Sequence, residues 1–190
     1  MRAKASARAA ILGLATSALW APACGETAVA LEHPNVVLIV VDSLRADRVG
    51  CYGYARPTTP NIDALAGAGY RFETAYATAP WTLPATASML TGLYADLHGV
   101  RELGDRLPAG VPTLAERARA AGYATGAVVS DFLLGPARGF DAGFDSVSTA
   151  EARGEGHASS KGVAAAAAEF LERARRERRP FLLFAHFHDP

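Results

Sequence analysis

The feature that most constrains the fold is an aliphatic run near the amino terminus. Val36-Val37-Leu38-Ile39-Val40-Val41 contains six aliphatic residues without the polar alternation of a half-exposed strand. A short run rich in β-branched residues predicts a strand buried on both faces, as in a parallel sheet. Because parallel strands need long crossover connections, we expect helices between this strand and its neighbours.

Signals for helices and further strands alternate along the rest of the chain. Thr59-Pro60 and Thr113 are typical helix starts. The predicted helices cover residues 60–66, 84–91, 114–121 and 161–176. The later predicted strands cover residues 124–129 and 180–186, and residues 151–160 form a predicted loop. The predicted fold class is therefore α/β, a mainly parallel sheet flanked by helices over residues 31–190.

The first thirty residues have the pattern of a secretory signal. Basic residues precede an apolar stretch over residues 9–20, and Ala28-Val29-Ala30 follows as a small-residue cleavage site. We predict a signal peptide over residues 1–30 and export to the periplasm or the extracellular space. An uncleaved anchor is the alternative. Cys24 directly follows Ala21-Pro22-Ala23, so a lipoprotein signal with a lipid anchor at Cys24 is a further alternative.

Composition narrows the range of partners. Acidic and basic side chains cancel, which gives a net charge of +0 and a pI near 7.0. A nucleic-acid-binding domain is expected to carry a strongly basic face. We therefore predict no nucleic-acid partner.

Two positions combine reactive side chains with favourable places in the predicted fold. Asp42 directly follows the first strand, at the sheet edge where ligands collect, and either binds a divalent cation or caps the following loop. Thr82 precedes a helix whose Pro84 fits the first turn. Its hydroxyl is either the helix N-cap or a group that faces a bound phosphate or sulfate.

Other candidate residues lie near the same predicted edge. His186 and His188 alternate at the end of the last strand and are expected to point to one face, towards an anion or a metal. Arg45 either pairs with Asp47 or binds substrate. We interpret His98 as a structural residue, because buried polar groups are usually satisfied locally.

Several motifs in order resemble the sulfatases of the alkaline phosphatase superfamily. The opening strand and loop, PNVVLIVVDSLRADRVGCYGY, is followed by a segment that includes APWTLPATASMLTG. The later landmarks are PTLAERARAAGYATGAVVS, GFDAGFD and FLLFAHFHDP. The resemblance covers Pro34 to Pro190 and implies a metal-dependent hydrolase of sulfate or phosphate esters.

The resemblance also implies roles for individual residues. Asp42 matches the first metal-binding acid, and Ser43 stands where many sulfatases have a second acid. Thr82 falls on the position of the nucleophile, which is also a metal ligand. Arg45, His186 and His188 are predicted to bind substrate from their positions near the same sheet edge, and not from the resemblance. The implied cofactor is a divalent metal ion (Ca, Mn, Zn or Mg), and the implied substrates are small-molecule, glycan or lipid esters.

The nucleophile segment departs from the usual sulfatase pattern. Formylglycine forms from Cys/Ser-x-Pro-x-Arg, whereas this chain has Thr82-Leu83-Pro84-Ala85-Thr86. No formylglycine is therefore expected. Lipoteichoic acid synthases and phosphoethanolamine transferases, which are related, use a threonine at the matching position. Resemblance to these enzymes favours Thr82 as a nucleophile in phosphoryl transfer.

The family's later Asp-His-Gly or Asp-Asn-Gly segment does not occur after Asp42. We therefore expect a domain that is incomplete at the carboxyl end and a 190-residue chain that is inactive by itself. Two other functions stay open. One is an exported, non-catalytic binding protein with a sulfatase-like fold, and the other is a transferase of phosphoryl groups that uses the threonine nucleophile.

Overall fold

A four-stranded parallel sheet organises the chain. The computed structural model describes residues 33–149 and 159–188. The strands are β1 (Val36–Val41), β2 (Ala124–Val129), β3 (Ser146–Thr149) and β4 (Phe181–Phe187), in the spatial order β1-β4-β2-β3. Every neighbouring pair is parallel, with Val36 opposite Leu182 and Val41 opposite Phe187. The α/β architecture predicted from the sequence is confirmed.

Helices connect these strands, as parallel pairing requires. They are α1 (Pro60–Ala68), α2 (Thr82–Thr91), α3 (Ala95–His98), α4 (Leu114–Ala120) and α5 (Ser160–Glu177). Thr113, the predicted helix start, forms a capping box at α4: its hydroxyl accepts from the Glu116 N–H, and the Glu116 carboxylate accepts from the Thr113 N–H. Short 3₁₀ turns lie at Ala46–Arg48, Gly50–Tyr52, Phe132–Leu134 and Pro136–Arg138.

The core has two layers, one on each face of the sheet. On one face Leu83 and Leu90 of α2 pack with Leu182 and Phe184 of β4. On the other face α5 presents residues at helical spacing to the neighbouring side chains Val128 and Leu183. The buried α5 residues are Val163, Ala167, Phe170 and Ala174.

The prediction that β1 is buried on both faces is wrong for this chain. Leu38 and Val40 pack against the core, but Val37 and Ile39 are 46% and 57% exposed. β1 is an edge strand, and within residues 33–149 and 159–188 no element covers its second face. By contrast, every residue of β2 is buried.

Two elements were not predicted from the sequence. β3 has only four residues, in which serine and threonine alternate with Val147, and α3 is a single turn. The predicted signal peptide and most of the predicted loop at 151–160 lie outside the described residues, although Ser160 already belongs to α5. None of the helices described is long and apolar enough to cross a membrane.

Candidate active site

A cavity of about 300 Å³ lies where β1 and β4 end and α2 begins. Asp42, Ser43, Trp81, Thr82 and His186 are among the residues that line it. Asp42 is the first residue after β1, and His186 is the next-to-last residue of β4. The cavity is therefore at the carboxyl edge of the sheet, where the sequence places the candidate residues.

The central contact of the cavity joins Asp42 to Thr82. The Thr82 hydroxyl donates to Asp42 Oδ2 at 2.6 Å, and the Ser43 hydroxyl donates to Asp42 Oδ1 at 3.3 Å. The Asp42 N–H donates to the Phe187 carbonyl at 2.8 Å, which fixes the carboxylate relative to β4. Two residues forty positions apart are thus brought within direct hydrogen-bonding distance.

The surroundings of Asp42 keep its carboxyl group ionised. Burial alone would raise its pKa, but the hydrogen bond from Thr82, the attraction of His186 and the hydrogen bonds of Ser43 outweigh that effect. Its pKa is therefore below the ordinary value. An ionised carboxylate with hydroxyl groups on both oxygens is suited to hold a cation or to orient a hydroxyl nucleophile.

Ser43 has an uncommon backbone conformation beside this carboxylate. Its φ angle is +58°, in the left-handed region that costs a residue with a Cβ about 1–2 kcal/mol. Backbone strain of this kind is concentrated at functional sites. The conformation turns the chain sharply after Asp42.

Thr82 is the first residue of α2 and not its N-cap. Trp81 occupies the N-cap position without a side-chain capping bond, and the first helical hydrogen bond runs from the Ala85 N–H to the Trp81 carbonyl. The N-cap interpretation of Thr82 is therefore wrong, because its hydroxyl donates to Asp42 instead. Pro84 has no N–H, so the Thr82 and Leu83 N–H groups form the positive end of the helix.

His186 is the histidine that the structure brings to Asp42. It is buried, its Nε2 lies 3.6 Å from Asp42 Oδ2, and its Nδ1 lies 3.2 Å from the Ser130 hydroxyl. Sequence reasoning missed Ser130. The available signal was its position directly after β2, which parallels the position of Asp42 after β1.

The other two predicted substrate-binding residues lie elsewhere. Arg45 forms two hydrogen bonds to Asp47, at 2.9 and 2.7 Å, and lines a neighbouring cavity that meets the first at Ser43. His188 directly follows the last residue of β4. Only His186 of the two lines the cavity.

His98 supports α2 from outside the cavity, in agreement with its structural interpretation. Its Nδ1 accepts from the Val100 N–H at 3.1 Å, so its Nε2 must carry the proton that is shared with the Ser88 hydroxyl at 3.0 Å. Burial, followed by the charge of Arg101, lowers the pKa of His98. The neutral imidazole is thus the form that fits this position.

We expect His98 to make the stability of the chain sensitive to mild acid. Because its folded-state pKa is lowered, its contribution is fully present above about pH 6.5 and is lost as pH falls towards the folded-state pKa. Urea unfolding at a series of pH values should show this loss in the wild-type chain and a smaller slope in His98→Gln. Equal slopes in both chains would contradict the assignment.

The donor atoms of the cavity fit part of a divalent cation site. The Asp42 carboxylate and the Thr82 hydroxyl are hard oxygen donors of the kind that Ca, Mg and Mn prefer. A hard cation takes about six such ligands. The described residues contain no group of three or more His, Cys, Asp or Glu side chains that could hold a metal, so they do not complete the site.

Comparisons with known proteins identify the family of the chain. The sulfatase family profile matches residues 34–190. N-acetylgalactosamine-6-O-sulfatase from Bacteroides thetaiotaomicron is 37% identical over 116 residues, which are 58% of this chain and 23% of that protein. Arylsulfatase A from Homo sapiens is 40% identical over 121 residues, which are 60% of this chain and 24% of that protein.

A solved structure extends the comparison to the fold. The phosphonate monoester hydrolase of Agrobacterium radiobacter superimposes with a TM-score of 0.65 at 27% identity and covers 82% of this chain and 41% of that one. The chain thus spans less than half the length of these relatives. Because the family profile covers nearly all of the described residues, the chain belongs to the sulfatase family of the alkaline phosphatase superfamily.

Proposed function

We propose that this chain carries the nucleophile part of a metal-dependent hydrolase of sulfate or phosphate esters, with Thr82 as the nucleophile. The observation that carries the proposal is the 2.6 Å hydrogen bond from the Thr82 hydroxyl to Asp42. A nucleophilic hydroxyl needs a neighbouring acceptor for its proton, and Asp42 Oδ2 is in that position. The positive end of α2 favours a tetrahedral anion directly in front of Thr82.

In this proposal each residue of the cavity has a separate role. Asp42 orients the Thr82 hydroxyl and accepts its proton as Thr82 Oγ1 bonds to the phosphorus or sulfur atom. The bond from that atom to the ester oxygen breaks, and the alcohol leaves after it takes a proton from water. His186, held by Ser130, adds positive charge next to Asp42 when it is protonated. A divalent cation held by Asp42 and Thr82 would neutralise negative charge on the ester and lower the pKa of the hydroxyl.

The identity of residue 82 favours phosphoryl chemistry over sulfuryl chemistry. Threonine cannot give formylglycine by the usual route, and Thr86 stands where the maturation signal has arginine. A sulfated threonine would lack the elimination by which formylglycine releases sulfate. A phosphorylated threonine can be hydrolysed by water in a second displacement. We therefore propose phosphate or phosphonate esters as substrates ahead of sulfate esters.

The wider setting of the protein belongs to the same proposal. Relatives named for glycan and aryl sulfates and for phosphonate monoesters support a small-molecule or glycan ester as the substrate. An exported location follows from the predicted signal peptide. We expect little or no turnover from these 190 residues alone, because the described residues supply too few cation ligands.

Binding of Mn²⁺ tests the proposed metal ligand. We expect Mn²⁺ to broaden the amide NMR signals of Asp42, Ser43 and Thr82 selectively, and Asp42→Asn to abolish the effect. Asp47→Asn is the matched control, since it removes an exposed carboxylate from the same loop. Broadening that survives Asp42→Asn, or that is centred elsewhere, would favour the non-catalytic binding protein with a sulfatase-like fold.

A further inference from the structure

The carboxyl end of α5 carries a concentration of positive charge that the proposed active site does not use. Residues 172–179 have the sequence ERARRERR, with five arginines and two glutamates. The whole chain has a net charge of +0. This segment is therefore strongly basic, and the rest of the chain is mildly acidic. The negative end of a helix dipole is equivalent to about half a charge, which is too little to cancel the excess positive charge of these arginines.

Three of the five arginines are held by contacts within the chain. Arg173 donates to the Ser146 hydroxyl, Arg176 donates to the Glu172 carbonyl, and Arg179 donates to the Gly122 and Tyr123 carbonyls. For Arg175 and Arg178, the part of the chain described here provides no ion pair or side-chain hydrogen bond. Their guanidinium groups are therefore available to an external anion.

Both of these arginines line a cavity. It has a volume of about 600 Å³ and is also lined by His33, Arg179 and the apolar side chains of Leu171 and Phe181. Glu172 is its one acidic lining residue. A cavity lined by several guanidinium groups and by apolar side chains fits a phosphate-bearing headgroup whose acyl chain begins nearby.

The position of the cavity favours a membrane as the source of that headgroup. His33 is nine residues after Cys24, a separation that spans at most about 30 Å. In the two alternatives to a cleaved signal peptide, a lipid at Cys24 and an uncleaved anchor, His33 stays close to a bilayer. The cavity also adjoins Phe181, at the start of β4, whereas Asp42 follows the opposite end of the sheet.

We propose that the cavity at the carboxyl end of α5, with Arg175 and Arg178 as its principal ligands, binds anionic phospholipid headgroups. Docking through this surface leaves the edge of the sheet that carries Asp42 and Thr82 directed away from the membrane. The proposal does not depend on the hydrolase function, because it uses none of the residues of the active-site cavity.

Vesicle co-sedimentation of the full chain tests the proposal. We expect stronger binding to vesicles that contain phosphatidylglycerol than to vesicles of phosphatidylcholine alone. The double variant Arg175→Gln/Arg178→Gln should lose about 25-fold of that preference, since each basic residue near the surface contributes about five-fold. The matched control is Arg117→Gln/Arg119→Gln, which removes two exposed arginines from α4.

Three results would overturn the proposal. The first is equal binding to both kinds of vesicle, and the second is an equal loss in both double variants, which would reflect net charge alone. The third is binding to dextran sulfate with no preference for anionic vesicles, which would indicate a polyanionic polymer as the ligand. The first 32 residues are the same in every variant, so membrane insertion by the predicted signal peptide cancels in the comparison.

Discussion

Gly143→Ala is expected to destabilise the chain by about 3 kcal/mol or more, whereas Gly122→Ala should cost about 1 kcal/mol. Both glycines have a φ angle of +88°, so an alanine is strained to a similar extent at either position. They differ in their surroundings. A Cβ at Gly122 meets nothing within 4 Å, whereas a Cβ at Gly143 overlaps the backbone at Glu116 and lies 2.6 Å from the Ala115 carbonyl carbon.

The reason for this close approach is the way the GFDAGFD segment packs on the start of α4. The Thr113 hydroxyl donates to the Ala142 carbonyl, and the Thr125 hydroxyl donates to the Gly143 carbonyl. The backbone of the GFDAGFD segment and the backbone at the start of α4 are thus fixed and cannot move to make room for a methyl group. Urea unfolding of the two variants measures the difference directly. Equal losses would mean that backbone strain, and not the contact with α4, sets the requirement for glycine.

Thr82→Ala is expected to weaken the binding of vanadate by about 100-fold, because vanadate imitates the five-coordinate state of phosphoryl transfer only when a hydroxyl completes it. The alanine variant removes the donor to Asp42 as well as the attacking oxygen. Thr82→Ser keeps the hydroxyl and should retain most of the affinity. Isothermal titration in the presence of Mg²⁺ gives the three dissociation constants.

A control on the same helix separates chemistry from folding. Thr91→Ala removes the hydroxyl at the other end of α2, where it donates to the Ala87 carbonyl. We expect this variant to bind vanadate as the wild-type chain does. If Thr91→Ala weakens the binding of vanadate as much as Thr82→Ala does, the loss of affinity is caused by a less stable α2 and not by removal of the Thr82 hydroxyl.

Local patterns in the sequence were sufficient for most of the fold. The bounds of β1 and β2 agree with the predicted strands, because both strands end in aliphatic residues that are followed directly by a polar residue. β3 was missed because Ser146 and Ser148 alternate with Val147 in a strand too short to show a period. The exposure of Ile39 on β1 was missed because a strand's sequence does not tell whether a neighbour covers it.

The site was predictable in its residues but not in its contacts. Position after a strand identified Asp42, and position before a helix identified Thr82. That the two side chains are hydrogen-bonded depends on how α2 packs over the end of β1, which no local pattern encodes. The same limit explains why Ser130, which contacts His186, was missed.

Amide NMR mapping of vanadate on the full chain, with Mg²⁺ present, tests most directly whether Thr82 faces the reacting anion. We expect the largest shifts at Ser43, Thr82 and Leu83, and we expect them to be lost in Thr82→Ala but not in Thr82→Ser. Shifts that persist in Thr82→Ala, or that are confined to Arg175 and Arg178, would contradict the assignment of Thr82 as the nucleophile.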